Sequence, residues 1–243
     1  MSHWLYTDKL WTLAAFEARC KELHKAGADG VLLRVGYRYG KPSEGLINEP
    51  AVISQAVDIA RSWGLGVAAW FWPHSLHVES QQKVMESQLR GWEPAYFICD
   101  AEGPEIWGAD EGLGVALCAS MREISDAPRV LTSLARIPKR APLAGPWEIL
   151  SPQMYTRTRE EMAGDVAHWR EVFGEEPALM SSSGLYTKRV DGGNRSRSHN
   201  ELTDHFEDHA SIGCRSTFMW ADQWWQASRH AAAVNASGMC GPA

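Results

Sequence analysis

Short apolar runs alternate with amphipathic stretches along nearly the whole of this chain, and that alternation limits its fold more than any other feature. The runs at 4–6, 30–35, 66–71, 96–100, 129–133, 148–154, 178–181 and 216–220 read as strands. Helices are expected between them. Over 12–26 the apolar residues Leu13, Phe16, Cys20 and Leu23 follow the spacing of one helical face, and Gly27 suits its stop. A second helix over 50–63 starts with Pro50, whose missing N–H costs nothing there, and ends before Gly64. Further helices are expected at 78–90, 111–125, 159–173, 200–211 and 223–234. The unit after the fifth strand is irregular, because 137–146 holds Pro138, Pro142 and Pro146 and no helical period. Eight strand–helix units in 243 residues fit an α/β chain folded as a (β/α)8 TIM barrel, irregular around its fifth unit. An open doubly wound sheet competes, but it usually carries a glycine-rich loop after its first strand, and Tyr6-Thr7-Asp8-Lys9 has no glycine.

With 44% hydrophobic residues and no linker or low-complexity segment, residues 1–243 read as one domain ending in a short disordered tail. No apolar run approaches the roughly 18 residues of a membrane span, and no leader is evident, so the expected chain is soluble, made in the cytoplasm and without a membrane partner. A net charge of −6 argues against broad nucleic-acid binding. Five scattered cysteines without Cys-x-x-Cys spacing read as free, mostly buried thiols. Twelve tryptophans are a heavy excess. Most should be core, with a minority left as flat platforms for a substrate.

The fourth run, Tyr96-Phe97-Ile98-Cys99-Asp100-Ala101-Glu102, ends in two carboxylates. Alternation puts both on one face of the strand with backbones about 6 to 7 Å apart. Two carboxyls so placed resist double ionisation, and one can stay protonated near neutrality as a general acid, which is what glycoside hydrolysis requires. The bland alternative is a solvated strand end before the turn at Gly103-Pro104. In a barrel the carboxyl ends of the strands form the active rim. Projecting all strand ends there gathers Tyr6, Arg34, Tyr37, Trp70, Trp72, Gln153, Tyr155, Trp220 and Asp222 around Asp100 and Glu102. Flat rings beside carboxylates and amides suit a sugar, with axial hydrogens for stacking and hydroxyl or acetamido groups for hydrogen bonds.

The motif order resembles the family 25 glycoside hydrolases, lysozyme-like muramidases with a (β/α)8 fold, over roughly the first half of the chain. Val31-Leu32-Leu33-Arg34-Val35-Gly36-Tyr37 resembles that family's second strand, and Asn48, Ala56 and Gly64-Leu65-Gly66-Val67 its helix and third strand. Asp100-Ala101-Glu102 occupies the place of its catalytic Asp-x-Glu. Gln153-Met154-Tyr155 and Trp220 are similar, more weakly, to family 18 chitinase-like barrels, although their Met-x-Tyr spacing differs from the adjacent Met154 and Tyr155. The first strand, His3-Trp4-Leu5-Tyr6, lacks the aspartate that family 25 carries there. Either Asp8 substitutes from the loop, or the site is altered and its reaction changed or lost. Asp222 is the loose counterpart of a late rim aspartate.

The resemblance implies a peptidoglycan-degrading muramidase, endolysin-like and phage-encoded, acting at the bacterial cell wall on release or through a virion or secretion partner. Glu102 would be the general acid, Asp100 would orient a water or the substrate's acetamido oxygen, Tyr155 and Gln153 would bind the acetamido group, and Trp220 would floor the sugar subsite. The alternative is a non-catalytic barrel, a sugar-binding or structural module of a phage particle or cell-wall assembly. No cofactor or metal is expected: His74 with His77, and His205 with His209, lack a third ligand and read as surface histidines. Ser181-Ser182-Ser183-Gly184 reads as a strand-end loop, without the pattern of a nucleophile elbow. Lys188, Arg189, Arg195 and Arg197 read as a mobile, solvated insertion, or as an anion clamp at the mouth.

Overall fold

The computed structural model describes residues 1–7, 12–36, 50–73, 78–137, 141–189 and 193–238. Asp8, Tyr37, Asn48, His74, His77, Cys240 and the expected tail lie outside them. The parallel strands are β1 (Ser2–Tyr6), β2 (Gly30–Arg34), β3 (Gly66–Phe71), β4 (Phe97–Asp100), β5 (Arg129–Leu134), β6 (Ile149–Gln153), β7 (Ala178–Leu179), β8 (Ser181–Gly184) and, after a hairpin of β9 (Tyr186–Lys188) and β10 (Asn194–Ser196), β11 (Ser216–Trp220). Strands β7 and β8 are consecutive pieces of one barrel strand, parted at Met180, whose N–H still donates to the Leu150 carbonyl at 2.9 Å. Strand β1 pairs with both β2 and β11, and β5 with β6, so the sheet closes into a (β/α)8 TIM barrel.

Outside the sheet lie α1 (Leu13–Ala26), α2 (Pro50–Ser62), α3 (Val78–Leu89), α4 (Pro104–Trp107), α5 (Leu113–Ile124), α6 (Arg159–Phe173), α7 (His199–Ser211) and α8 (Ala227–Gly238). Local chemistry sets their ends. Thr12 caps α1 by accepting from the Ala15 N–H at 3.0 Å, and Gly27 closes it at φ 74°. Thr158 and Ser198 open α6 and α7 with full capping boxes. Among the described residues β5 and β6 are joined without an α-helix, only a 3₁₀ turn at Ala141–Leu143, as the prolines predicted. The last helix starts later than expected, because Asp222–Trp224 forms a separate 3₁₀ turn.

Alternation divides the core. One set of side chains packs between strands and helices; the other, including Trp4, Tyr6, Leu32, Trp70, Ile98 and Phe218, fills the barrel interior. At the bottom the Trp4 indole lies over Gly30 and Gly66, where a Cβ would come within 2.3 Å and 2.6 Å of its ring. Higher up the filling turns polar. Thr132 Oγ1 and Ser151 Oγ lie 3.0 Å and 3.1 Å from Ser182 Oγ, and the Tyr6 hydroxyl bonds to Ser182 and Thr132. The serine run is therefore strand β8, not a loop, and Ser182 faces inward because hydroxyl partners await it there.

Candidate active site

Asp100 is the last residue of β4, and the rim loop begins immediately after it. Ala101 N–H still donates to the Thr132 carbonyl at 2.9 Å, which keeps the strand's alternation for one more step. Glu102 therefore projects on the same side as Asp100. Its backbone carbonyl accepts from the Trp72 indole N–H at 3.0 Å, and the Trp72 carbonyl in turn accepts from Gln81 Nε2 at 2.7 Å. The half-buried Trp72 thus clamps the loop that carries Glu102.

The two carboxyls share one amide. Gln153, last residue of β6, donates from Nε2 to Asp100 Oδ1 at 2.9 Å and to Glu102 Oε1. Asp100 is 2% exposed, whereas Glu102 is half-buried. Burial first, then the charge of Glu102 and a hydrogen bond to it, push Asp100 well above the ordinary carboxylate range; Arg34 and the Gln153 amide pull weakly the other way. A solvated strand end is excluded, since one carboxyl is sealed and both are fixed by Gln153.

Aromatic side chains wall the pair. Tyr6 packs edge-on against Trp70 and Trp220, at centroid separations of 5.2 Å and 4.9 Å. Tyr155 stacks on Trp220 at 6.4 Å and an interplanar angle of 24°, and the Arg34 guanidinium sits 5.4 Å from the Trp70 ring centroid. Tyr6 and Trp70, expected at the rim, lie one layer down at 1% exposed, while Trp220, Tyr155 and Arg34 are half-buried at the surface. Burial, followed by the charge of Asp100, raises the Tyr6 and Tyr155 phenols well above their usual value, so both stay neutral donors. Asp222 starts the 3₁₀ turn after β11.

Two readings are corrected. Arg197 is buried, 8% exposed, and donates to the Gly184 carbonyl at 3.0 Å and the Tyr155 carbonyl at 2.9 Å. Arg195 is paired with Glu201 at the start of α7. Arg197 is thus a structural residue, neither solvated nor a clamp at the mouth, and Arg195, though exposed, is taken by Glu201; β9 and β10 pair as an antiparallel hairpin in this segment. His205 and His209 are buried rather than at the surface, with their Nε2 atoms 3.2 Å apart.

The site also holds a cleft that no motif announced. It measures about 560 Å³ and is lined by Leu134, Arg136, Gln153, Tyr155, Arg157 and Tyr186, among others. Arg136 Nε and Arg157 Nε meet the two oxygens of the buried Asp165 at 3.0 Å and 3.1 Å. Sequence alone could have flagged only the surplus of arginines after β5 and β6.

No protein-family model matches the sequence, and no curated protein sequence matches it. The fold does have solved counterparts. Active domain 2 of a thermostable chitinase from Pyrococcus furiosus, crystallised as catalytic-site mutants with chito-oligosaccharides, superposes with a TM-score of 0.66 at 12% identity, over 100% of this chain and 96% of that one. The spore cortex-lytic enzyme SleL of Bacillus megaterium QM B1551 gives 0.62 at 8% identity, over 98% and 73%. A protein described as a xylanase and α-amylase inhibitor, XAIP-III, gives 0.60 at 12% identity, over 92% and 94%. At such identities the likeness is one of fold.

Proposed function

We propose that this chain is a glycoside hydrolase acting on N-acetylated amino-sugar polymers, with bacterial peptidoglycan as its substrate and muramidase as its activity. The observation that carries the reading is the Asp100–Gln153–Glu102 constellation: one buried carboxyl whose acidity burial and its neighbour weaken, one more accessible carboxyl beside it, and one amide bridging both. Such a pair can share a proton and release it to a leaving oxygen. Glu102, the more exposed member, is the donor. The proton passes from Asp100 to Glu102 along the hydrogen bond the two carboxyls share, Glu102 hands it to the leaving oxygen, and the negative charge left on the pair is held by the Gln153 amide. Trp220 with Tyr155 forms the wall on which a sugar ring stacks, and the neutral Tyr155 phenol donates a hydrogen bond to the sugar's acetamido oxygen. Gln153 turns its amide nitrogen to the carboxyls, so its first duty is to position them. The SleL and chitinase barrels, by their own descriptions, act on spore cortex and bind chito-oligosaccharides, which supports this substrate class. Such an enzyme reaches the wall by release from the cell or on a virion or secretion device.

The test is incubation with purified peptidoglycan and with chitin oligomers, followed by mass spectrometry of the new reducing ends. N-acetylmuramic acid ends are expected. Glu102→Gln should cut turnover by about 10²- to 10⁴-fold with sugar binding retained. Full lytic activity in that variant would remove Glu102 from the acid role.

A second reading is favoured by one observation: the interior rim position of β1 is the buried Tyr6, not a carboxylate. The inhibitor XAIP-III has the same fold, so a barrel serving as a binding module is the competing assignment. A module would bind its partner undiminished after Asp100→Asn and Glu102→Gln, and would release no reducing ends from either polymer.

A further inference from the structure

We propose that the cleft flanking the carboxyl pair is a subsite for a carboxylate carried by the substrate, received by Arg136 and Arg157. The inference rests on the glycosidase reading, because it assigns the substituent of the sugar next to the bond being cut. Gln153 and Tyr155 are shared walls: Gln153 bridges the carboxyls, Tyr155 stacks on Trp220, and both also line the cleft. A chain of sugars lying across the pair therefore puts its next residue into this space. Leu134, 40% exposed at the end of β5, and Tyr186 offer that residue apolar faces.

Two arginines converge on one buried carboxylate beside the cleft. Asp165 has a side chain only 1% exposed and needs a cation, yet it has two. One arginine would satisfy it. Arg157 is one-third exposed, and Arg136, at 67%, lies almost in the open. Each guanidinium reaches Asp165 through Nε, and among the described residues the terminal nitrogens of Arg136 have no carboxylate partner. Arg136 donates from Nε to Asp165 Oδ1 and Arg157 Nε lies 3.1 Å from Oδ2, so both guanidiniums are tethered at the cleft wall, where an arginine fork can take a carboxylate in two parallel bonds. Glu161 is the other anion nearby, 3.6 Å from Arg157 Nη1. Its second oxygen accepts from the Thr158 N–H at 2.8 Å as part of the α6 cap, so it is held at the helix start. A neutral sugar would gain little from two cations here. A hexosamine bearing an acid, either directly on an ether substituent or at the end of an attached peptide, would gain a charge-assisted contact and fix its register across the pair.

The experiment is calorimetry on the intact protein at low salt with four probes: chitobiose, the N-acetylglucosamine–N-acetylmuramic acid disaccharide as the free acid, the same disaccharide as its lactyl amide, and the disaccharide carrying a dipeptide with a free terminal carboxylate. The expected result is that one acid form binds about tenfold or more tightly than the amide, with the gap closing as salt rises. Which acid form does so identifies the source of the carboxylate. The preference should fall severalfold in Arg136→Gln, survive largely in Arg136→Lys, and vanish in the triple Arg136→Gln/Arg157→Gln/Asp165→Asn variant, which leaves no buried charge unpaired, with chitobiose affinity unchanged throughout. Arg136→Gln leaves Arg157 on Asp165, so the fold is kept, and the acid-against-amide comparison needs no variant at all. Equal binding of acid and amide, or a preference that survives the triple substitution, overturns the subsite while leaving the glycosidase reading in place. If the protein binds none of the four, both are overturned.

Discussion

Asp100 bears a cost that its neighbours would not. A carboxyl whose folded-state value is raised above that of the unfolded chain gives up its proton more readily on unfolding. Stability is then complete below the ordinary aspartate value of 3.8 and is lost as pH rises toward the raised folded-state value. Asp100→Asn removes the ionisation and keeps the shape, so its melting temperature should exceed that of the parent at pH 7, with the difference disappearing near pH 3.5. Turnover should drop at the same time, the usual exchange of stability against activity at a site of this kind. Thermal melts at the two pH values check it, and a variant less stable at pH 7 would show that the carboxyl is ionised in the fold. At this scale the sequence was legible where alternation could be counted. Asp100 and Glu102 two apart at a strand end gave the pair, and Gln153 and Tyr155 fell on the same rim. It was not legible that Gln153 would turn its amide to the carboxyls, because β4 and β6 meet across β5 only once the barrel closes.

The helices were read from periodicity and from Gly27, Pro50 and Gly64, and they hold because their ends are local chemistry: the structure adds Thr12, Thr158 and Ser198 as caps acting on residues three away. The errors fell on segments whose conformation is decided by distant partners. Arg197 looked solvated by composition, yet it joins β8 to the loop after β6. His205 and His209 looked like surface residues on a polar helix, but α7 turns them inward against β1. There His3 stacks at 4.4 Å on Phe206 and bonds through Nε2 to Ser237 of α8. Burial, helped by the terminal amine at His3 and by Arg197 at His209, holds these two imidazoles down at about 3, and His205 is lowered by the same burial. The unfolded chain protonates them near 6.5, and the fold does not. Stability should therefore decline as pH falls from about 6.5 toward 3, by about 1.4 kcal/mol per pH unit for each histidine. Replacing His209 by Gln should flatten the dependence of the urea midpoint between pH 6.5 and 5, above the range where carboxylates titrate. An unchanged slope would mean that the histidine is protonated within the fold.

Closure of the whole barrel depends on what fills it, and the bottom layer is set by a size exchange no local rule announces. Gly30 and Gly66 sit opposite one another on β2 and β3, both facing inward, and the Trp4 indole occupies the room their missing side chains leave. The three positions lie far apart in sequence. Each glycine read alone as a strand start, and Trp4 as one of many core tryptophans. Gly66→Ala would set a methyl 2.6 Å and 3.1 Å from the indole and 3.3 Å from the Asp29 carbonyl, so the ring must move within a packed layer. Overpacking of that kind costs about 1 to 3 kcal/mol. Trp4→Leu alone should cost more, about 3 kcal/mol or above, because it opens a cavity in a packed layer. Put together, the two changes relieve each other in part: the methyl enters space that the indole has left. Urea denaturation of the parent, both single variants and the double variant should give a double variant more stable than the sum of the single losses predicts, by about 1 kcal/mol or more. Strict additivity would mean that indole and glycine do not share the space, and that the barrel's bottom is closed by some other contact. The active rim should feel these changes little, since the hydroxyl layer of Tyr6, Thr132, Ser151 and Ser182 stands between Trp4 and the carboxyl pair.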